Sequence, residues 1–125
     1  MIQVAFRFDD PSETSQRGVE QGIIEVLRAH RACATFACIP FRLIEGERVP
    51  LSRGRAAPLI EAERDGTIEV ALHGHSHLRH TTAPALPSEF ATRSAREQSA
   101  LIDEGAAHLA TVFGQRPAGF VPPWN

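Results

Sequence analysis

The chain has 125 residues, of which 42% are hydrophobic and 22% are charged, and its formal net charge is −2. This composition is typical of one globular domain and not of a disordered tail. All thirteen cationic side chains are arginines, which excludes chemistry that needs a lysine, such as Schiff-base formation or a P-loop. The weak net charge and the lack of a basic cluster argue against nucleic-acid and membrane partners.

The first half of the chain predicts a strand, a helix, a second strand and a loop. Residues 2–8 alternate in polarity as a strand does, and residues 15–30 carry the apolar stripe of a helix. Residues 33–39 predict the second strand, and segment 41–55, which has no period, is interpreted as a loop. The predicted apolar face of the first strand is Ile2, Val4, Phe6 and Phe8, and the predicted helix stripe is Val19, Ile23, Val26 and Leu27.

The second half continues the alternation of strands and helices. Its predicted elements are a helix at 56–64 closed by the turn Asp65-Gly66, a strand at 68–72, a loop at 81–88, a helix at 94–113 ended by Gly114, and a strand at 119–121. This order argues for an α/β fold in which a parallel sheet is connected by right-handed crossovers. Both an open doubly wound sheet and part of a parallel (β/α) barrel fit the order.

The cysteines and the N-terminus predict the compartment. Cys33 and Cys38 lie five positions apart in one predicted strand and so point to opposite faces, which argues against a disulfide. The first residues lack the basic segment and cleavage site of a signal peptide, and no apolar run is long enough to cross a membrane. We therefore predict a soluble, cytoplasmic protein.

Reactive side chains follow three of the predicted strands. Asp9 and Asp10 come after the first strand, the sequence HGHSH (73–77) after the third, and Pro123 and Trp124 after the last. The carboxyl ends of parallel strands share one edge of the sheet, so these residues are expected to converge there.

The residue types at this edge indicate a divalent metal. Two imidazoles, from His73 and His77, with one carboxylate form a common catalytic zinc set, and the same trio also suits iron(II). The second carboxylate of the aspartate pair then stays free to accept a proton from the attacking water. Two simpler interpretations remain open: the aspartates form a turn or helix cap, or the histidines form a surface tract that binds metal adventitiously.

The other histidines are given lesser roles. His75 points away from its two neighbours if the strand continues, so it either supports the ligands or has no role. His80 is expected to be exposed, and His30 and His108 are expected to be surface or packing residues of helices.

Three short motifs together resemble the polysaccharide deacetylase superfamily, and its divergent deacetylase-like members in particular. They are FRFDD (6–10), HGHSH (73–77) and FVPPWN (120–125), and their order and spacing fit the family's first three motifs over essentially the whole chain. The resemblance implies a distorted (β/α) barrel and a metal-dependent hydrolase that removes acetyl groups from N-acetylated sugars, with relatives that act on other C–N bonds.

The resemblance also implies a role for each matched residue. Asp9 becomes the general base, and the metal ligands become Asp10, His73 and His77, with zinc as the expected metal and cobalt, nickel, manganese and iron as alternatives. The substrate-binding residues become Trp124, Pro123 and Arg7. A backbone N–H near Pro123-Trp124 is expected to help hold the oxyanion.

The chain departs from the family pattern in three places. Pro11 stands where the family usually has glycine, and Val121 stands where an arginine usually orients the base. Arg7 either supplies that charge or pairs with Glu69 across the sheet. The later motifs, including the histidine that acts as general acid, would lie beyond Asn125.

The predicted domain, residues 1–125, is thus an apparently incomplete barrel of about four βα units, since a full barrel takes about 250 residues. A truncated product, a fragment, or a protomer completed by a second copy in a homo-oligomer would each explain this.

The sequence therefore predicts a metal-dependent deacetylase or amide hydrolase acting on a small-molecule or oligosaccharide substrate. The alternative is a non-catalytic metal- or carbohydrate-binding relative that lacks the general acid. A phospho-receiver domain is rejected, because it needs an aspartate after the third strand, where His73 stands, and typically a lysine.

Overall fold

The computed structural model describes residues 1–80 and 87–124. Four strands form a parallel sheet in the order β1-β2-β5-β6, and two more form a separate antiparallel hairpin. The elements are β1 Phe6–Asp9, α1 Arg17–His30, β2 Ala34–Cys38, β3 Phe41–Ile44, β4 Glu47–Pro50, α2 Ala57–Arg64, β5 Ile68–His73, α3 Ala95–Phe113 and β6 Gly119–Val121. The predicted α/β fold with a parallel sheet is confirmed, and within the described residues the sheet is open.

The core lies between the helices and one face of the sheet. Phe36 of β2 and Leu72 of β5 alternate with smaller residues, and they pack with Leu59 of α2 and Leu109 of α3, all buried. Burying each of these side chains contributes roughly 1.5–3 kcal/mol. The opposite face of the sheet carries a small buried cluster of Ala37, Ala71 and Val121.

In the second half of the chain, the predicted helices and strands are confirmed as α2, β5, α3 and β6. The helix predicted at 94–113 is α3, which begins with a capping box between Ser94 and Glu97 and ends at Gly114 in the left-handed region, φ 87°. The turn after α2 is completed by Gly66, φ 79°. Most of the loop predicted at 81–88 lies outside the described residues, as does Asn125.

The prediction of a loop at 41–55 was wrong, because this segment contains the β3–β4 hairpin. The two-residue turn between the strands is Glu45-Gly46, with φ values of 52° and 85°. Two positive φ angles are what a type I′ hairpin turn requires. The hairpin contacts α3 through an ion pair of 2.7 Å between Arg48 and Glu104.

The predicted bounds of the first strand and the predicted stripe of α1 need correction. Strand β1 begins at Phe6, and the preceding Ile2 and Val4 are 91% and 68% exposed. Val19 and Val26 of the stripe are also exposed, whereas Leu27 is buried as predicted and Ile23 packs against the core. Helix α1 also buries Glu20 and Ile24. The cause of the exposure is that the side of β1 away from β2 has no strand partner among the described residues. A groove of about 600 Å³ lies there between β1 and α1.

Both cysteines are free, as predicted, and Cys38 is buried. Cys33 is exposed, which corrects the interpretation of both cysteines as small buried residues. Of the helices in residues 1–80 and 87–124, none combines the length and apolarity needed to span a bilayer.

Candidate metal centre

Three strand ends bring the predicted residues together at one edge of the sheet. Asp9 ends β1, His73 ends β5 and Val121 ends β6, and all neighbouring strands in this sheet run parallel. After β1 the chain stays close to β2, because the Asp10 N–H donates to the Ala37 carbonyl at 3.1 Å. The expected convergence follows from the parallel arrangement.

Asp10, His73 and His77 present their ligand atoms to one another. Oδ1 of Asp10 lies 3.2 Å from Nε2 of His73 and 3.4 Å from Nε2 of His77, and ligand atoms of all three residues lie within 4.8 Å of one another. Two ligands bonded at 2.0–2.1 Å to a tetrahedral ion are about 3.4 Å apart. The two spacings from Asp10 therefore match those of ligands on a tetrahedral ion, and the three side chains form a candidate metal site.

A hydrogen bond fixes the orientation of the His73 ring. Its Nδ1 lies 2.9 Å from the carbonyl oxygen of Val121, and since a carbonyl can only accept, Nδ1 carries the hydrogen. In the neutral ring Nε2 then has a lone pair that faces the Asp10 carboxylate. A ring whose Nδ1–H is bound to a backbone carbonyl and whose Nε2 faces outward is the usual arrangement of a metal-binding imidazole.

The backbone at this edge is unusually strained. Asp10, His77 and Trp124 have φ values of 77°, 56° and 55°, and Gly74 has a φ of 64°. A non-glycine residue in this region costs about 1–3 kcal/mol, and such residues cluster at functional sites. His77 thus reaches Asp10 from a turn and not from an extended strand.

Comparison with known proteins identifies the family. The family model described as polysaccharide deacetylase matches residues 2–124. The chain belongs to the polysaccharide deacetylase family. No curated protein and no solved structure gives a significant match. Membership indicates hydrolase activity of the deacetylase type, directed at carbohydrates, in a family that is generally metal-dependent.

In this deacetylase-family chain, the predicted base Asp9 is paired with Arg7. Nη2 of Arg7 donates to Oδ2 at 3.0 Å, and Nε lies 2.9 Å from Oδ1. Oδ1 is buried and, within the described residues, lacks a hydrogen bond of good geometry. Of the two alternatives for Arg7, the structure shows the contact with the acid.

Trp124 and Pro123 lie beside the metal group in different ways. Trp124 is 41% exposed, and the centroid of its ring is 4.5 Å from that of His77. Pro123 is buried and packs onto Gly74, where an added β-carbon would lie 2.5 Å from Pro123 Cγ. Trp124 is thus open to a ligand, whereas Pro123 packs against the backbone of Gly74.

The remaining histidines lie outside the metal group. His75 is buried, and its Nε2 donates to Glu104 at 2.9 Å, so it points away from its neighbours as predicted. His108 binds the Leu51 carbonyl at 2.9 Å from within α3, and His80 and His30 are exposed.

Two carboxylates at this edge have no counterpart among the predicted site residues. Partial burial raises the pKa of Glu104, but hydrogen bonds from His75 and Arg48 outweigh it, so the pKa lies below its ordinary value. Glu89 is 2% exposed and binds residues of the HGHSH segment. Glu89 follows Pro87 and Ser88, and no local sequence pattern marks it as a site residue.

Proposed function

We propose that this protein is a metal-dependent hydrolase that removes an acetyl group from an N-acetylated sugar or a related amide. The observation that carries the proposal is the spacing of 3.2 Å and 3.4 Å between Asp10 and the two imidazoles of His73 and His77. This group lies at the carboxyl edge of a parallel sheet, in a chain of the polysaccharide deacetylase family.

Zinc is the metal that we propose for Asp10, His73 and His77. Two imidazole nitrogens and one carboxylate oxygen, with a tetrahedral spacing and an open fourth position, match catalytic zinc sites. When bound, such a metal supplies Lewis-acid polarisation of the amide carbonyl and activation of a water nucleophile.

Asp9 takes the role of general base in this proposal. Its carboxylate, which Arg7 contacts through both oxygens, accepts the proton of the attacking water. The guanidinium holds the carboxylate in place. Positioned proton transfer of this kind contributes roughly 10²–10⁴-fold to a rate.

Trp124 and its neighbours form the substrate-binding side of the centre. The exposed face of the Trp124 ring offers an apolar platform next to His77, and such surfaces pack against sugar rings. Pro123 keeps that platform in place through its contact with Gly74. The Trp124 backbone N–H is the donor that we assign to the developing oxyanion.

A second candidate function is a metal- or carbohydrate-binding protein without catalysis. It is favoured because no general acid is evident among the two histidines that could supply one. His75 is hydrogen-bonded to Glu104, and His80 is exposed. Neither residue belongs to the group around Asp10.

The first experiment measures metal content by elemental mass spectrometry after zinc supplementation. Wild type is expected to hold about one zinc per chain, and Asp10→Ala and His73→Ala to lose it, because each removes one of three ligands. His80→Ala is the matched control, since this exposed histidine lies outside the group. A wild-type protein that holds no zinc would overturn the proposal.

The second experiment separates the two functions. Acetate release from N-acetylglucosamine oligomers, lowered roughly 10²–10⁴-fold by Asp9→Asn with zinc retained, supports the hydrolase. Zinc and oligomer binding without acetate release supports the binding protein.

A further inference from the structure

The carboxylate of Glu89 accepts hydrogen bonds from the segment between the two histidines of the metal group. One oxygen accepts from the His75 N–H at 3.0 Å, and the other accepts from the Ser76 N–H at 2.7 Å and the Ser76 hydroxyl at 2.8 Å. The side chain is 2% exposed. Each of these three hydrogen bonds therefore ends on residues that lie between His73 and His77.

The segment needs such a partner because it leaves the sheet at His73. The N–H groups of His75 and Ser76 lie beyond the end of β5, and both residues are buried. A buried N–H without an acceptor costs roughly 1–3 kcal/mol, and an ionised carboxylate is a stronger acceptor than a carbonyl. Glu89 supplies the partners that the strand ladder no longer provides.

The segment is also bounded by two residues with left-handed backbone. Gly74 has a φ of 64° and His77 a φ of 56°, and the second is unfavourable for a residue with a side chain. Gly74 lacks the β-carbon that would collide with the Glu89 carboxylate. The position of the His77 ring therefore depends on a turn whose middle is held by Glu89.

The backbone of Glu89 is also held, by a hydrogen bond from Arg93. Nε of Arg93 donates to the Glu89 carbonyl at 2.8 Å, directly before the Ser94 cap of α3. The carboxylate thus connects the start of a long helix to the turn that carries the imidazoles.

We propose that Glu89 is a positioning residue, which holds the 74–76 turn so that His73 and His77 face Asp10 before any metal arrives. The inference rests on the proposed metal centre for its consequence, which is tighter metal binding. Its structural basis, the carboxylate-bound turn, is tested separately in the metal-free protein.

The test compares Glu89→Gln with two other variants. Glu89→Gln keeps the shape but directs an NH₂ group or a weaker acceptor at the two N–H groups, and Ser76→Ala removes only the hydroxyl contact. Glu97→Gln is the matched control, because Glu97 accepts from an N–H and a hydroxyl of Ser94 in the same way, at the cap of α3. Three quantities are measured: amide hydrogen exchange without metal, zinc affinity by chelator competition, and the visible spectrum of the cobalt(II) form.

In metal-free Glu89→Gln, exchange at the His75 and Ser76 amides is expected to accelerate at least tenfold, with the β5 amides unchanged. Zinc affinity is expected to fall about 10–100-fold, as when the support of a ligand is lost, and the cobalt spectrum to shift. Ser76→Ala should show a smaller loss of affinity, and Glu97→Gln should match wild type in all three measurements.

Unchanged exchange in Glu89→Gln would overturn the inference, and so would accelerated exchange with wild-type zinc affinity. If the wild type itself binds no zinc, the proposed function fails. The exchange data alone then decide whether Glu89 holds the turn.

Discussion

The guanidinium of Arg7 contacts both carboxylate oxygens of Asp9, at 2.9 Å and 3.0 Å. The two residues are separated by one position in β1, so their side chains leave the same face of the strand. In the family pattern an arginine precedes the prolines of the third motif, where this chain has Val121. In this chain the arginine that contacts Asp9 is Arg7, which lies in the same strand, β1.

We therefore expect Arg7→Met to lower kcat for acetate release by roughly 100-fold, because Asp9 loses the partner that orients it. Zinc content should stay at the wild-type level, since Arg7 does not belong to the metal group. Steady-state kinetics with elemental analysis check this, with Arg116→Met as the control, an arginine 3.6 Å from Asp103 on the surface. An unchanged kcat would refute the assignment.

The parts of the centre that could be predicted are those with a local pattern. The chain runs from β5 into three alternating histidines, and in a parallel sheet the ends of β1 and β5 share one edge, so the aspartate pair, His73 and His77 were expected to converge there. The choice of Asp10 as the ligand came from the family resemblance. The contact of Asp10 with both histidines in the structure agrees with that convergence. The α3 boundaries were predictable for the same reason, since Ser94 and Gly114 carry the chemistry of helix caps.

The missed features depend on contacts that are distant in sequence. Glu89 binds His75 and Ser76 from 13–14 positions away, across a segment without a period. The β3–β4 hairpin has strands of four residues, too short for alternation to stand out, and its turn is Glu45-Gly46 in place of the commoner Asn-Gly. The exposure of Val19 follows from which elements cover β1, and this cannot be read from a helical stripe.

The two cysteines are expected to differ sharply in reactivity. Burial raises the pKa of the Cys38 thiol, the Glu20 and Glu63 carboxylates raise it further, and Arg55 lowers it only in part. The thiolate is the reactive form, so Cys38 stays inert at neutral and mildly alkaline pH. In a disulfide-exchange assay with a chromogenic reagent, the native protein should therefore titrate one thiol per chain, the exposed Cys33.

The same assay in denaturant should titrate both thiols of the wild type. Cys33→Ser should show no rapid reaction when native. Rapid reaction of two thiols in the native wild type would contradict the burial of Cys38.

Stability should fall in acid partly through Asp65. Hydrogen bonds from the Thr67 hydroxyl and N–H, followed by Arg28, hold the pKa of Asp65 below its ordinary value of 3.8. A carboxyl whose pKa is lowered by folding stabilises the protein above the unfolded pKa, and this contribution is lost as the pH falls through the folded pKa. Asp65→Asn should therefore be less stable than wild type near neutral pH, and the difference should shrink as the pH falls below the ordinary pKa of 3.8.

Urea unfolding at about pH 6 and about pH 2.5 measures this difference. Asp103→Asn is the control, since its carboxylate lies 3.6 Å from Arg116 on the surface of α3 and should matter little at either pH. A constant gap between Asp65→Asn and wild type across this range would show that the carboxylate charge is not the cause.

Gly74 is expected to be the glycine most sensitive to substitution. An added β-carbon would collide with the Glu89 carboxylate and lie 2.5 Å from Pro123 Cγ, at a φ of 64°. Gly66 has a similar φ of 79°, but a β-carbon there meets no described atom within 4 Å. Gly66→Ala should therefore cost only the backbone term, about 1–2 kcal/mol, whereas Gly74→Ala adds steric overlap and should cost about 3 kcal/mol or more.

Denaturant unfolding measures the loss of stability in each of the two variants. Zinc affinity then shows whether the substitution also disturbs the metal group. Gly74→Ala displaces Glu89 or Pro123, so it should weaken zinc binding, while Gly66→Ala, at the start of β5, should leave it unchanged. Equal losses of stability in both variants would mean that Glu89 and Pro123 move aside without cost. The close packing of Gly74, Glu89 and Pro123 would then not be what holds the two imidazoles in place.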